Sequence, residues 1–281
     1  MTSSDKTTAI LLEPRDVEAM LGETGLVIVD LCKAETYQQN HIPGAVHLDY
    51  AMLVAGTKPA PGLLPSLEQL NSITRTLGIN EDSRVIAYDN EGGGRSGRLL
   101  WTLHVMGFYR VSVINGGLQA WSNEGYPAEQ ASNSPRGNGN FQVSSIENSA
   151  ALALKEYVVE QVDNSDSSFF DARTPEEFAG SKAFSQRGGH IPGAINLNWT
   201  DCIDQSNHMR LKSNQQLTEL LNQLGFSRDK EIITYCQTHH RSSHSYMMLL
   251  HLGYPRVRGY AGAWSEWGND PELPVATGPN P

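Results

Sequence analysis

Cys236 heads the stretch Cys236-Gln237-Thr238-His239-His240-Arg241-Ser242, and these residue types at this spacing can do thiol chemistry. An apolar, β-type run from Ile232 to Tyr235 leads into the cysteine, and a run of helical period follows the loop and closes on Gly253. Strand, tight loop and helix together present a row of backbone N–H groups to an anion, with the positive end of a helix dipole beside it. A thiol at the head of such a loop ionises more easily than a free one. Thr238 can donate a further hydrogen bond. Arg241 is a poor residue for a helix N-terminus on dipole grounds. It is therefore expected to meet an anionic substrate or to brace the loop against an acidic neighbour, the plain alternative being an arginine that faces solvent.

His239 and His240 suit a polar, weakly basic rim whose attraction for anions grows as they protonate near pH ~6.5. Adjacent histidines in a tight loop rarely converge on one ion and no fourth ligand is apparent, so no metal is expected. A cysteine–histidine dyad is the other reading, although no third group is identifiable to orient the imidazole.

The elements that must position this loop are legible from an internal repeat. His41-Ile42-Pro43-Gly44-Ala45 returns as His190-Ile191-Pro192-Gly193-Ala194, Leu77-Gly78 as Leu224-Gly225, Tyr88 as Tyr235, Gly107 as Gly253 and Trp121 as Trp264. The matches are collinear and their offsets drift by only a few residues, as loop insertions would produce. Each copy alternates strands with helices, which indicates α/β units around a mainly parallel sheet. In the first, strands are predicted over 26–31, 45–48, 84–88 and 110–114, with helices over 33–40, 65–77, 96–106 and 117–124. In the second, strands are predicted over 168–172, 195–197, 232–235 and 256–258, with helices over 149–161, 175–180, 211–224 and 261–267. Residues 127–142 lack any period and are rich in Ser, Asn, Gly and Pro, the composition of a linker. The expected division is a domain over 1–126, the linker, and a second domain over 143–281.

The two copies differ where the chemistry would be. Asp89 stands where the second copy has Cys236, and both loops run on to Arg-Ser, as Arg95-Ser96 and Arg241-Ser242. An aspartate cannot act as a thiol nucleophile, and its charge opposes an incoming anion. One copy is thus expected to be catalytic and the other structural, with the first roofing the pocket of the second.

Composition excludes several classes. The chain has 281 residues, 39% hydrophobic and 19% charged, with a net charge of −10. No basic stripe accompanies that charge, which argues against nucleic acid as a partner. Cys32, Cys202 and Cys236 are odd in number and widely spaced, so no disulfide framework is expected and a reducing, cytoplasmic setting is. There is no apolar run long enough to span a membrane.

Taken together, the loop, the repeated His-Ile-Pro-Gly-Ala turn, the segment Asp171 to Ala194 and the stretch Gly259-Tyr260-Ala261-Gly262-Ala263-Trp264-Ser265-Glu266-Trp267-Gly268 resemble the tandem-domain rhodaneses. These are thiosulfate sulfurtransferases, close relatives of the mercaptopyruvate sulfurtransferases, and the resemblance covers nearly the whole chain. The loop is similar to the Cys-Gln-Thr-His-His-Arg type of some bacterial rhodaneses. The resemblance implies two similar rhodanese-like domains, each a mainly parallel sheet flanked by helices, the first catalytically inactive. It implies that Cys236 takes the outer sulfur of a small anionic donor such as thiosulfate as a persulfide and passes it to cyanide or a thiol, a protein acceptor being a further alternative. Gln237, Thr238, His239, His240, Arg241, Ser242 and Arg173 would bind the donor, Asp171 and Trp264 would support the site, and no metal or organic cofactor is implied. Two departures bear on the donor. Gln237 and Thr238 match neither the basic residues of vertebrate rhodaneses nor the small ones of the mercaptopyruvate enzymes, and Glu177 falls where vertebrate rhodaneses have a substrate-binding arginine. Mercaptopyruvate therefore stays open as the donor. A non-enzymatic persulfide carrier is a further reading, as is a cysteine phosphatase. The related phosphatases, however, have one more residue between cysteine and arginine than the four found here.

Overall fold

Apolar runs without alternation belong in strands covered on both faces, and in the computed structural model, which describes residues 8–280 apart from 131, 136 and 148, they form two parallel sheets. The first sheet draws on β1 (Leu11–Leu12), β2 (Leu26–Asp30), β3 (Val46–His47), β4 (Arg84–Tyr88) and β5 (Val111–Ile114), in the order β1-β5-β4-β2-β3. Around it lie α1 (Pro14–Glu18), α2 (Ala34–Gln39), α3 (Leu67–Leu77), α4 (Gly94–Val105) and α5 (Gly117–Asn123). The second sheet repeats the order as β6-β12-β11-β7-β8, from β6 (Leu152–Ala153), β7 (Ser167–Asp171), β8 (Ala194–Asn196), β11 (Glu231–Tyr235) and β12 (Val257–Tyr260). Its helices are α6 (Lys155–Gln161), α7 (Pro175–Ala179), α8 (Asn214–Gln223), α9 (Arg241–His251) and α10 (Ala263–Trp267). A small antiparallel hairpin, β9 (Ile203–Asp204) with β10 (Arg210–Leu211), is inserted before α8. The two sheets, each with helices on its faces, are α/β units of one plan, as the repeat implies. Among the described residues, no helix is long and apolar enough to cross a membrane.

β4 and β11 sit at the centre of their sheets, so the residue following each is delivered to the C-terminal edge of a parallel sheet, where open α/β folds bind ligands. α4 and α9 follow these strands and pack on each other across the two halves, each buried along almost its full length. Their shared interface merges the two cores into one cluster that includes Leu99, Trp101, Leu103, Met247 and Met248. That packing brings the loop of the first half against the loop of the second.

Three expectations need correction. The helix expected over 149–161 begins only at Lys155, because Leu152 and Ala153 pair in parallel with Gly259 and Tyr260 as an edge strand. Arg258 reinforces that edge by donating to the carbonyls of Ser149 and Leu152. Tertiary pairing here overrides local helical pattern. The helix expected from Leu211 begins at Asn214, since Ser213 and Gln216 form a capping box and Leu211 belongs to the hairpin. α4 starts at Gly94, two residues before the expected Ser96. Gly78 ends α3 in the left-handed conformation, as its place after the leucine run predicts.

Candidate active site

Cys236 follows the last residue of β11, and its carbonyl and that of Gln237 are held by the backbone N–H groups of Trp264 and Ser265 at 2.9 and 3.0 Å. The start of α10 therefore pins the head of the loop from below. The thiol is 1% exposed. Burial pushes a thiol up. Here the Arg241 charge, the Ser242 hydroxyl and the backbone N–H groups of Ser242 and Thr238 more than offset that and leave Cys236 below the ordinary thiol range. A thiolate with donors aimed at it can attack an electrophilic sulfur and hold the anion that results.

Arg241 does not hang free. Its Nη1 and Nη2 donate to the two carboxylate oxygens of Glu177 at 2.6 and 2.8 Å, a fork-on-fork pair. Burial raises the Glu177 carboxyl, but the two Arg241 contacts hold it below the usual carboxylate range. Of the two roles expected for Arg241, bracing against an acidic neighbour is the one present. In the sequence Glu177 stood out only as an acidic residue where an arginine would bind substrate, and in the structure it also completes a capping box with Thr174. Nothing in that motif pointed to an arginine more than sixty residues away.

His239 corrects the expectation of a basic rim. It is fully buried, and burial, with the charge of Arg98 beside it, holds its imidazole well below the ordinary histidine value. It adopts a left-handed backbone at φ 55°, and its Nδ1 lies 2.7 Å from the Ser242 hydroxyl. A neutral ring with a proton on Nδ1 donates to Ser242 Oγ, which leaves that hydroxyl's own proton for the Cys236 sulfur. His239 thus acts inside the loop rather than at its mouth. His240 does sit at the mouth, with Nε2 at 2.6 Å from Glu91 of the first half and the rings of Tyr50 and Trp199 around it. Gln237 donates to Ser185 at 3.0 Å, and Thr238 lies partly exposed beside Gly62.

Arg173, expected to bind substrate, is 1% exposed and committed elsewhere. Its Nε and Nη2 grip Asp171, Nη2 also donates to the Gly189 carbonyl at 2.7 Å, and the guanidinium lies 4.6 Å from the Trp264 ring. Asp171, Arg173 and Trp264 form a braced wall behind the loop. Cys32 and Cys202 are buried, and burial pushes both thiols far up, Cys202 to about 12.

Sequence reasoning missed most of the roof. Gly62 approaches so closely that a Cβ there would lie 2.2 Å from the Thr238 carbonyl oxygen. Arg98, on α4, donates to the His239 carbonyl at 3.3 Å. Tyr50 and Glu91 meet His240, and the Trp101 ring packs on His239. No motif marks these residues, because each matters only through the packing of one half on the other.

Comparison with known proteins agrees with this geometry. The Rhodanese-like domain family profile matches residues 13–124 and again 154–270. The chain is 42% identical over 266 residues to a thiosulfate sulfurtransferase of Azotobacter vinelandii, covering 95% of this chain and 96% of that protein. A thiosulfate sulfurtransferase of Pseudomonas aeruginosa is 41% identical over the same shares of both chains. Among solved structures, a 3-mercaptopyruvate sulfotransferase of Escherichia coli superposes with a TM-score of 0.80 at 28% identity, covering 92% of this chain and 99% of that one.

Proposed function

The chain belongs to the rhodanese family as a tandem of two rhodanese-like domains, and on that premise we propose that Cys236 is its sulfur-carrying nucleophile and thiosulfate its donor. The chain is a rhodanese-type sulfurtransferase. The observation that carries the assignment of the thiol is its place: Cys236 is the first residue after the central strand β11, its loop is pinned by the N–H groups of Trp264 and Ser265, and Arg241 opens the helix that follows.

In the first half-reaction the Cys236 thiolate attacks the outer sulfur of thiosulfate. A new S–S bond forms, the donor's S–S bond breaks, and sulfite leaves with the electron pair. The persulfide's terminal sulfur carries the negative charge, and the N–H groups along Gln237 to Ser242 stabilise it as they did the thiolate. In the second half-reaction cyanide or a thiol attacks that terminal sulfur, the enzyme's S–S bond breaks, and the Cys236 thiolate is restored. The first domain, with Asp89 in place of the cysteine, carries no sulfur and serves as the roof. We divide the chain at 127–142, a stretch without helix or extended strand among its described residues.

One observation favours 3-mercaptopyruvate as a second donor. Glu177 already matches the charge of Arg241, which leaves less uncompensated positive charge for a dianion than for a monoanion. The test compares the two donors by thiocyanate formed in the presence of cyanide, with the intact mass read after donor alone. Gain of one sulfur atom by the protein, removed by cyanide and absent in Cys236→Ala, is the expected result. No gain in mass under excess of either donor overturns the assignment.

A further inference from the structure

Arg98 is a buried cation in the half that lacks the reactive thiol. It is wholly inaccessible, and among the described residues no carboxylate pairs with it. A guanidinium taken out of water without a counter-ion is unfavourable unless its protons find acceptors and its charge finds a use. Acceptors it has. Nη2 donates to the carbonyls of Leu53 and Gly62 at 2.9 and 2.8 Å, Nη1 donates to the carbonyl of His239 at 3.3 Å, and the plane lies 4.6 Å from the Trp101 ring.

Those acceptors come from three separate places: the turn after Asp49, the strap that carries Gly62, and the middle of the Cys236 loop. Gly62 has no side chain where the Thr238 backbone presses on it, so Arg98 clamps the strap and the loop at their tightest contact. The His239 carbonyl also accepts from the Ser243 hydroxyl, so two donors fix that one peptide plane in a loop where His239 holds a left-handed conformation. A trans peptide puts the His240 N–H on the opposite side from that carbonyl, away from Arg98.

We propose that Arg98 positions the Cys236 loop from across the domain interface and supplies it with a buried positive charge that the thiolate, or the persulfide after it, serves to balance. The ionisable groups whose charge bears on Arg98 are Tyr50 and Cys236. Its charge also helps keep the buried His239, whose Nδ1 lies 2.7 Å from the Ser242 hydroxyl, neutral. The inactive domain on this view contributes electrostatics, not only a lid. Because it deepens the sulfurtransferase reading, the test must separate the two.

The pH dependence of Cys236 alkylation by iodoacetamide, followed on the Cys236 peptide by mass spectrometry, reports thiol ionisation whether or not the protein transfers sulfur. Arg98→Gln keeps an N–H donor for the carbonyls and loses the charge. Its alkylation midpoint is expected to move up by on the order of 1 pH unit. Arg98→Lys keeps the charge and loses the fork, so its midpoint is expected to stay near that of the unaltered protein while sulfur loading slows. A folded Arg98→Gln protein with an unshifted midpoint overturns the proposal. So does an Arg98→Lys midpoint raised well above that of the unaltered protein, and this second criterion decides the matter if the glutamine variant does not fold. Failure of both thiosulfate and 3-mercaptopyruvate to load the unaltered protein would instead remove the assignment of Cys236 as sulfur carrier and leave the alkylation result standing.

Discussion

Asp89 and Cys236 occupy one position in two copies of the same fold, each the first residue after the central strand of its sheet. In the first copy the carboxylate of Asp89 is itself the anion that the loop binds. It accepts from the backbone N–H groups of Glu91, Gly93, Arg95 and Ser96 at 3.0, 2.9, 3.0 and 2.8 Å, and from the Ser96 hydroxyl at 2.8 Å. In the second copy the Ser242 hydroxyl and the N–H groups of Thr238 and Ser242 bear instead on a sulfur. An aspartate thus does more than delete a nucleophile: it fills the cradle permanently and rigidifies the surface that presents Glu91 to His240.

Replacing Asp89 with alanine orphans four N–H groups and a hydroxyl in a buried turn. We expect a loss of roughly 3 kcal/mol in unfolding free energy, from the penalty for unmet buried donors. Sulfur loading of Cys236, measured by intact mass on the folded fraction, should persist. Urea denaturation curves that overlay those of the unaltered protein would contradict the first part.

Glu177→Gln leaves Arg241 without its anionic partner in a site where the carboxylate is 2% exposed. A destabilisation of about 2 kcal/mol at neutral pH is expected. Since the folded carboxyl is held below its ordinary value, its contribution is present above the unfolded-state value and is lost as pH falls through the folded one. The gap in Tm between the two proteins should therefore close below pH ~4. A gap that stays constant down to acid would show that the pair carries no linked stability.

Gly62→Ala adds a methyl group where 2.2 Å separates its site from the Thr238 carbonyl oxygen. The backbone on either side must move, at about 1–3 kcal/mol for overpacking. The loop is the nearest thing that can give. Turnover should fall more than stability does, and thiocyanate formation alongside thermal unfolding checks that ordering.

The rate of Cys236 alkylation should remain high at pH values where an ordinary thiol is mostly protonated, because its ionisation is lowered. Arg241→Met should shift that profile to higher pH, as it removes the nearest positive charge. Identical profiles for the two proteins would mean that the Arg241 charge does not set the thiol.

The proposed nucleophile, the loop length and the duplication were legible because they are local or periodic. Cys236 follows a run of strand residues, four residues separate it from Arg241, and the same turn of His-Ile-Pro-Gly-Ala occurs twice. His239 and Arg173 read differently in the fold. A histidine in a polar loop looks exposed, and an arginine in a signature looks substrate-facing, yet both are buried against partners from other segments. The edge strand at Leu152 was hidden for a related reason, since its pairing partner lies more than a hundred residues on.

By itself the sequence determined the architecture and pointed to the thiol proposed as the reactive group, since strand and helix period, turn residues and a cysteine at a strand end are properties of short segments. Only the tertiary structure decided what surrounds that group. The packing of α4 on α9 brings Arg98, Gly62 and Glu91 to a loop whose own half supplies Glu177. Electrostatic environment depends on distance through space and on exclusion of water, and neither is written in the spacing of residues along the chain.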